Sequence, residues 1–264
     1  MLELARSLFL QEIVNAQNGW GKGSLTDIAN YRNGLAMQKF RPEGHDKGLP
    51  VLKIRELREG KCSIDSERCK TDIAEDVLAH DGDVIFSWSG SLLIDLWAGG
   101  DAGLNQHLFK VTSAKYPKWF YYLWTDYYLP RFISMAADKA TTMGHIKRSA
   151  LENTSVAIPS SKDFQLLNAL FTPIVDKIIS SKVETIKLAQ LRDALLPKLM
   201  SGEIDVSKVE LPTPPAQTIH ANGRLLVIRI NAYRDESSRE RCSTTEAAPS
   251  VLRVFPNVYL NIDV

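Results

Sequence analysis

The sequence predicts an α+β fold, one mixed α/β domain followed by a long helix of coiled-coil type, and three observations carry that prediction. Short apolar stretches between polar turns run through residues 24–159, and residues 50–54, 83–87 and 154–158 read as strands. Between Pro117 and Ala136 lies an aromatic-rich segment, with Trp119, Phe120, Tyr121, Tyr122, Trp124, Tyr127 and Tyr128, which reads as a helix interrupted at Pro130. From Phe164 to Leu195 the apolar spacing becomes helical and stays so.

Residues 1–16 read as an amphipathic helix. Leu2, Leu4, Ala5, Leu8, Phe9 and Ile13 fall on one side of a 3.6-residue period, with Glu3, Arg6 and Glu12 interspersed, which is not the pattern of a signal peptide. The helix should stop near Asn15, because Asn18, Gly19, Gly21 and Gly23 follow and each glycine costs a helix about 1 kcal/mol. That glycine run reads as a flexible linker into the mixed domain, residues 17–160. Within the domain Trp119, Phe120 and Trp124 are expected in the core, and Asn105, Gln106 and His107 organise a turn.

The third segment, residues 161–205, is one long helix that Asp163 can cap and that Pro173 can kink or break. Phe171, Ile174, Ile178, Ser181, Thr185, Leu188, Arg192 and Leu195 alternate steps of three and four, the spacing of a coiled-coil seam, although several are polar. Ile174, Ile178, Leu188, Leu191 and Leu195 are therefore expected to dock on a partner helix. Residues 206–264 begin with Pro212, Pro214 and Pro215 and read as a linker and a poorly ordered tail; from 213 onward there are six arginines and no lysine, with edge strands at 225–230 and 251–254.

Composition excludes several classes. No apolar run approaches the ~18–20 residues that span a bilayer, so no membrane partner is expected. Three cysteines cannot form a disulfide framework, and a reducing cytoplasm is the expected location. Lys22 is followed by Gly23 rather than Ser or Thr, so the phosphate-loop pattern fails. Cys62 and Cys69 lack the short spacing of a zinc knuckle, and neither metal nor cofactor is expected in the chain. Asp46, Glu59 and Lys61 resemble the carboxylates and lysine of a metal-dependent nuclease, a short motif that is common by chance and is kept as an alternative.

The net charge is close to zero, with 32 Lys and Arg against 31 Asp and Glu, so local patches must indicate a polyanionic partner. Residues 31–61 carry eight basic side chains against four acids, and residues 62–110 carry nine acids against three bases. Two basic stretches supply candidate phosphate contacts: Arg32, Lys39, Arg41, Lys53 and Arg55 in the first, Lys139, Lys147 and Arg148 in the second. In the second, Thr141, Thr142 and His145 can donate to phosphates or base edges.

Three segments together, GDVIFSWSGS at 82–91, LNQHLFKV at 104–111 and LRDALLPKLMSGEI at 191–204, resemble the DNA-specificity subunit of Type I restriction-modification enzymes. Residues 24–34 resemble the opening of a target recognition domain, and 143–147 with 157–159 resemble its close. Residues 4–9 look like the end of the conserved helical region that precedes such a domain. The resemblance covers residues 1 to about 210 and implies a non-catalytic chain. Its partners would be double-stranded DNA, methyltransferase and restriction subunits, and either a second copy or a second half-specificity subunit. In the family the partner subunits use S-adenosylmethionine, ATP and magnesium. Family members usually carry two target recognition domains held apart by an antiparallel helix pair; this chain has one set and looks like the second half. At 1.5 Å per residue, residues 163–199 would span about 55 Å, or some 16 base pairs. A coiled-coil adaptor without DNA contact is the other alternative.

Overall fold

The computed structural model describes residues 1–15, 19–137 and 144–204, and the backbone of four strands between 217 and 263. The chain divides into two compact units, Met1–Pro197 and Lys198–Val264. The first opens with helix α1 (Leu2–Asn15), which buries Ala5 and Phe9 one turn apart. Strand β1 (Gly21–Ser24) leads into α2 (Leu25–Ile28), whose start is closed by a reciprocal capping box between Ser24 and Asp27. Then follow β2 (Asn30–Asn33), a 3-10 turn at Met37–Lys39, β3 (Leu49–Leu52), α3 (Ile54–Glu59), β4 (Arg68–Cys69) and β5 (Leu78–Ala79). β6 (Val84–Ser87), β7 (Leu93–Leu96), β8 (Ala102–Leu104) and β9 (Leu108–Thr112) complete the central strands. α4 (Lys118–Ala137), α5 (Arg148–Glu152), β10 (Ser155–Ile158) and α6 (Ser161–Met200) finish the order.

Two four-stranded sheets position everything else. One, in the order β2-β9-β6-β7, is antiparallel throughout; the other, β4-β3-β8-β5, contains the parallel pair β3 and β8. The strand period of two divides the first sheet's residues between two cores. Val84, Phe86, Phe109 and Val111 pack with α4 and α6, whereas Ile85 and Leu108 pack with Leu52, Trp97, Ala102 and Leu104. The aromatic residues of α4 fill the first core as expected: Trp119, Phe120 and Trp124 are all buried, and Trp119 stacks on Phe171 with centroids 4.8 Å apart.

Three local expectations are corrected. The glycine run is not merely a linker, because Gly21–Ser24 pairs antiparallel with β10. A Cβ on Gly23 would come within 2.8 Å of the Ile158 side chain, so glycine allows the close approach. α4 is not interrupted at Pro130: Phe132 and Ala136 beyond the proline are as buried as the turns before it, and that packing holds the helix together. At the start of α6 the capping oxygen is that of Ser160, which accepts from the Asp163 amide at 3.3 Å; the Asp163 carboxylate instead accepts from Ser160 Oγ and from Trp20 Nε1.

The 40 residues of α6 span about 60 Å, with Pro173 inside one continuous helix. Leu167, Phe171, Val175 and Ile178 form its buried stripe. Lys182 ends the stripe, bonding the Asp95 carboxylate and the Leu96 carbonyl. Beyond it Leu188, Leu191, Leu195 and Leu196 are 57%, 54%, 37% and 50% exposed. The expected partner seam is therefore split. Ile178 is buried in the body and Ile174 packs against the same core, while Leu188, Leu191 and Leu195 are the residues left open. The reason is that one helical stripe continues through two environments, and periodicity does not distinguish them.

In the second unit, β11 (Gln217–Ala221), β12 (Arg224–Asn231), β13 (Ser250–Phe255) and β14 (Val258–Asp263) form an antiparallel sheet in the order β11-β12-β14-β13. β12 and β13 cover the two segments read as strands. Residues 205–216, where the proline linker was expected, lie outside the described residues.

Candidate nucleic-acid interface

Residues far apart in sequence meet at one end of the first sheet. Antiparallel register places Asn33, at the end of β2, opposite Phe109, and Ser87, at the end of β6, opposite Leu108, so the segments around residues 33, 88 and 107 emerge together. Gly34 N–H donates to the Leu108 carbonyl and Leu35 N–H to that of Leu104. A Cβ on Gly34 would lie 2.2 Å from the Leu104 carbonyl oxygen, so only glycine allows this approach. Residues 144–146 join the same edge: Gly90 N–H donates to the Gly144 carbonyl, Ile146 N–H donates to that of Trp88, and Ser89 bridges His145. α3 starts beside it, since Asn105 N–H donates to the Leu52 carbonyl and the Ile54 side chain lies against Gly90.

Trp88 stands at the centre of this edge. Its ring packs near Phe109, His107 and His145, at centroid distances of 5.8, 6.1 and 6.3 Å, and its Nε1–H donates to Asn33 Oδ1 at 3.1 Å. The expected turn at Asn105–His107 is present: Asn105 Oδ1 accepts from the His107 amide, and His107 Nδ1 pairs with Ser89 Oγ at 2.9 Å. Asn105 is buried, so it is a structural part of that turn, while Gln106 and His107 are half-buried.

The candidate phosphate contacts separate on this frame. Lys147 and Arg148 are exposed where residues 144–148 leave the edge; Lys147 has no ion pair among the described residues, and Arg148 lies 3.8 Å from Glu152. Lys53 caps α3 beside Asn105 and pairs with Glu67, and Arg55 forks onto the buried Glu56, which raises the guanidinium's pKa. Arg32, one residue before Asn33 in β2, pairs with Asp76 at 2.6 Å. Lys39 and Arg41 are exposed beside Phe40, whose carbonyl accepts from the Lys70 amide next to β4. His145 is half-buried at the edge, and Lys139, Thr141 and Thr142 lie outside the described residues. Sequence reasoning missed Asn33 and Trp88 as members of the edge. The signal present was Asn33-Gly34, a turn dipeptide at a strand end.

The nuclease-like residues have separate local tasks. Asp46 accepts from the amides of Gly48 and Thr71, which lowers its carboxyl below the usual range, with the Gly48 bond the larger cause. Glu59 ends α3 near Arg55, 4.0 Å away. Among the described residues no group of three or more His, Cys, Asp or Glu side chains could hold a metal ion. Burial, with a further push from Glu56, raises the Cys62 thiol to about 12, and burial likewise raises Cys69, so neither is a ready thiolate. No described helix is long and apolar enough to cross a membrane.

No family model matches the chain. It is 27% identical over 201 residues to the Type I restriction enzyme MjaIX specificity subunit of Methanocaldococcus jannaschii, a match covering 72% of this chain and 46% of the relative. It is 23% identical over 232 residues to the Type I restriction enzyme EcoBI specificity subunit of Escherichia coli, covering 80% and 48%. The chain spans about half the length of the curated relatives it matches. Among solved structures, the S subunit of a Type I restriction-modification system from M. genitalium aligns at 16% identity over 89% of this chain and 60% of its own, with a TM-score of 0.47. Over most of its length, this chain is similar to the specificity subunits of Type I restriction enzymes.

Proposed function

We propose that this chain is a DNA-recognition subunit of a Type I restriction-modification complex: residues 17–160 read one half-site of a bipartite target, and α6 docks on a partner helix. The observation that carries this reading is the convergence of the family-like segments. Residues 33–34, 87–90, 104–108 and 144–146, which belong to four such segments scattered through the sequence, contribute to one end of one sheet. A rigid sheet end carrying loops with hydrogen-bonding side chains and flanking cations suits recognition in a groove. Lys53, Arg55, Lys147 and Arg148 supply phosphate contacts there, with His145 and the neighbouring Lys139, Thr141 and Thr142 as further donors. Arg32, Lys39 and Arg41 contribute from beside the edge. Catalysis belongs to the methyltransferase and restriction subunits, with their S-adenosylmethionine, ATP and magnesium.

The exposed leucines of α6 support helix docking, because an apolar stripe of this length in water favours a partner. If the partner is a second copy, two-fold symmetry sets the helices antiparallel and presents identical readers in inverted orientation, so the target is an interrupted palindrome. A second half-specificity subunit gives two unlike half-sites. The test is duplex binding by the purified chain as a function of salt, with methylated sites mapped in cells that carry this gene and the partner methyltransferase. About four phosphate contacts per body give a log–log salt slope of roughly −3.6. Methylation at one defined bipartite site supports the reading; binding to no duplex at any salt, with no methylated site, overturns it.

A further inference from the structure

We propose that Asn33 is a base-reading residue, specific for a hydrogen-bond acceptor on a base edge, and that Trp88 is the positioning residue that aims it; the inference rests on the DNA-recognition reading above. Asn33 is exposed at the end of β2, on the same sheet end as the Trp88, Gln106–His107 and Gly144–Arg148 segments. A side-chain amide can usually turn either its oxygen or its nitrogen toward a ligand. Here that choice is made within the protein. The indole N–H is only ever a donor, so its 3.1 Å contact fixes the near atom as Oδ1 and leaves the two Nδ2 hydrogens, on an exposed residue, as the donors for a ligand.

The arm that fixes the amide is itself held. Trp88 bonds through its backbone to His107 on one side and Ile146 on the other, and its ring is packed against Phe109. Rotation of the indole would break contacts in three segments, so Asn33 presents donors without first paying an ordering cost. In the major groove, donors match guanine N7 and O6, thymine O4 or adenine N7; the bidentate pairing of Asn with adenine also needs the amide oxygen, which here has one of its two lone pairs taken by the indole, so the single-donor contacts are favoured.

The experiment is selection of the full-length purified chain on randomised duplexes, with affinity and thermal melting measured separately for Asn33→Ala, Asn33→Asp and Trp88→Phe. Asn33→Asp still accepts from the indole but has no donor, and Trp88→Phe keeps an aromatic ring but frees the amide to flip. All three should relax the same single base position, by about tenfold in preference, while the other positions stay selected. Asn33→Asp adds a negative charge that weakens all sequences alike, which the affinity series separates from the change in preference. A selected motif that keeps the same stringency at every position in Asn33→Ala and Trp88→Phe overturns the inference and leaves the DNA reading intact. A wild-type chain that binds no duplex overturns both. Relaxation in Asn33→Ala but not in Trp88→Phe removes the positioning role.

Discussion

Truncating Ile178 to alanine should destabilise the body of the molecule, whereas the same truncation at Leu188 should leave it unchanged, although both residues lie on one helical stripe. Ile178 is 7% exposed and Leu188 57% exposed. Removing three buried carbons at about 0.8 kcal/mol each gives about 2.4 kcal/mol. The site borders a groove of about 370 Å³ lined by Leu2, Leu96, Ser181 and Lys182, into which neighbours can relax, so the loss should sit near the low end of the ~2–5 kcal/mol range for such changes. With a urea dependence of about 2 kcal/mol per molar, the unfolding midpoint falls by roughly 1 M. Leu188→Ala stays within about 0.5 kcal/mol. Tryptophan fluorescence reports the body alone, because all five tryptophans lie within Met1–Pro197. Sedimentation of the same variants tests the proposed docking: Leu188→Ala should weaken self-association or pairing, and Ile178→Ala should affect it only through folding. An unchanged midpoint for Ile178→Ala beside a lowered one for Leu188→Ala would refute the division of α6 into a packed half and an exposed half.

Arg6→Ala should cost about 2 kcal/mol, measured by urea unfolding, because Arg6 makes two 2.7 Å bonds to the Asp126 carboxylate, which is nearly buried while the arginine is partly solvated. Asp126→Asn in the Arg6→Ala background should restore part of that loss. Gly34→Ala should lower the unfolding free energy by the ~1–3 kcal/mol of an overpacked site and weaken duplex binding as well, since the new methyl meets two backbone carbonyls that hold the edge together. His80 is held between Asp101 and Glu75, and its pKa is raised, chiefly by the Asp101 hydrogen bond. A raised folded pKa stabilises fully below the unfolded value and is lost as pH rises through the folded one. The midpoint difference between wild type and His80→Gln should therefore be larger at about pH 5.5 than at about pH 9, and a difference independent of pH would count against the bridge.

Where one residue pattern admits one structure, the sequence was readable. α1 ends at Asn15 because a run of glycines follows, and β6 and β10 fall on short apolar segments bounded by turns. The residues that misled are those whose behaviour is decided by what they pack against. Pro130 stays in a helix because buried aromatics flank it on both sides, and the Gly21–Ser24 run joins a strand by pairing with β10, where Ile158 needs the space at Gly23. The edge itself was partly readable, since its segments carry the family resemblance, but the Asn33–Trp88 bond links residues 55 positions apart, and no local pattern encodes it. Ile174 and Ile178 were assigned to a partner for the same reason: a stripe announces burial without naming the surface that provides it.

Charge counted along the sequence is redistributed by the fold, and that bears on how such a chain would hold DNA. The basic run at 31–61 and the acidic run at 62–110 are separate in sequence, but β3 lies between β4 and β8, which folds the second run back onto the first. Arg32 meets Asp76 and Lys53 meets Glu67, so part of the apparent basic face is neutralised within the body. Cations paired within the body gain less from phosphate attraction, so the non-specific affinity of one body should be lower than its count of basic residues suggests. Under the proposed reading, tight binding then depends on two bodies engaging one duplex together, where the second contact is intramolecular and the effective concentration is set by the helices that join them. Severing that helix contact with a polar residue at Leu188 should therefore cost far more affinity on a duplex with two half-sites than on one with a single half-site. Equal losses on both would mean that a single body carries the affinity and that α6 contributes nothing to it.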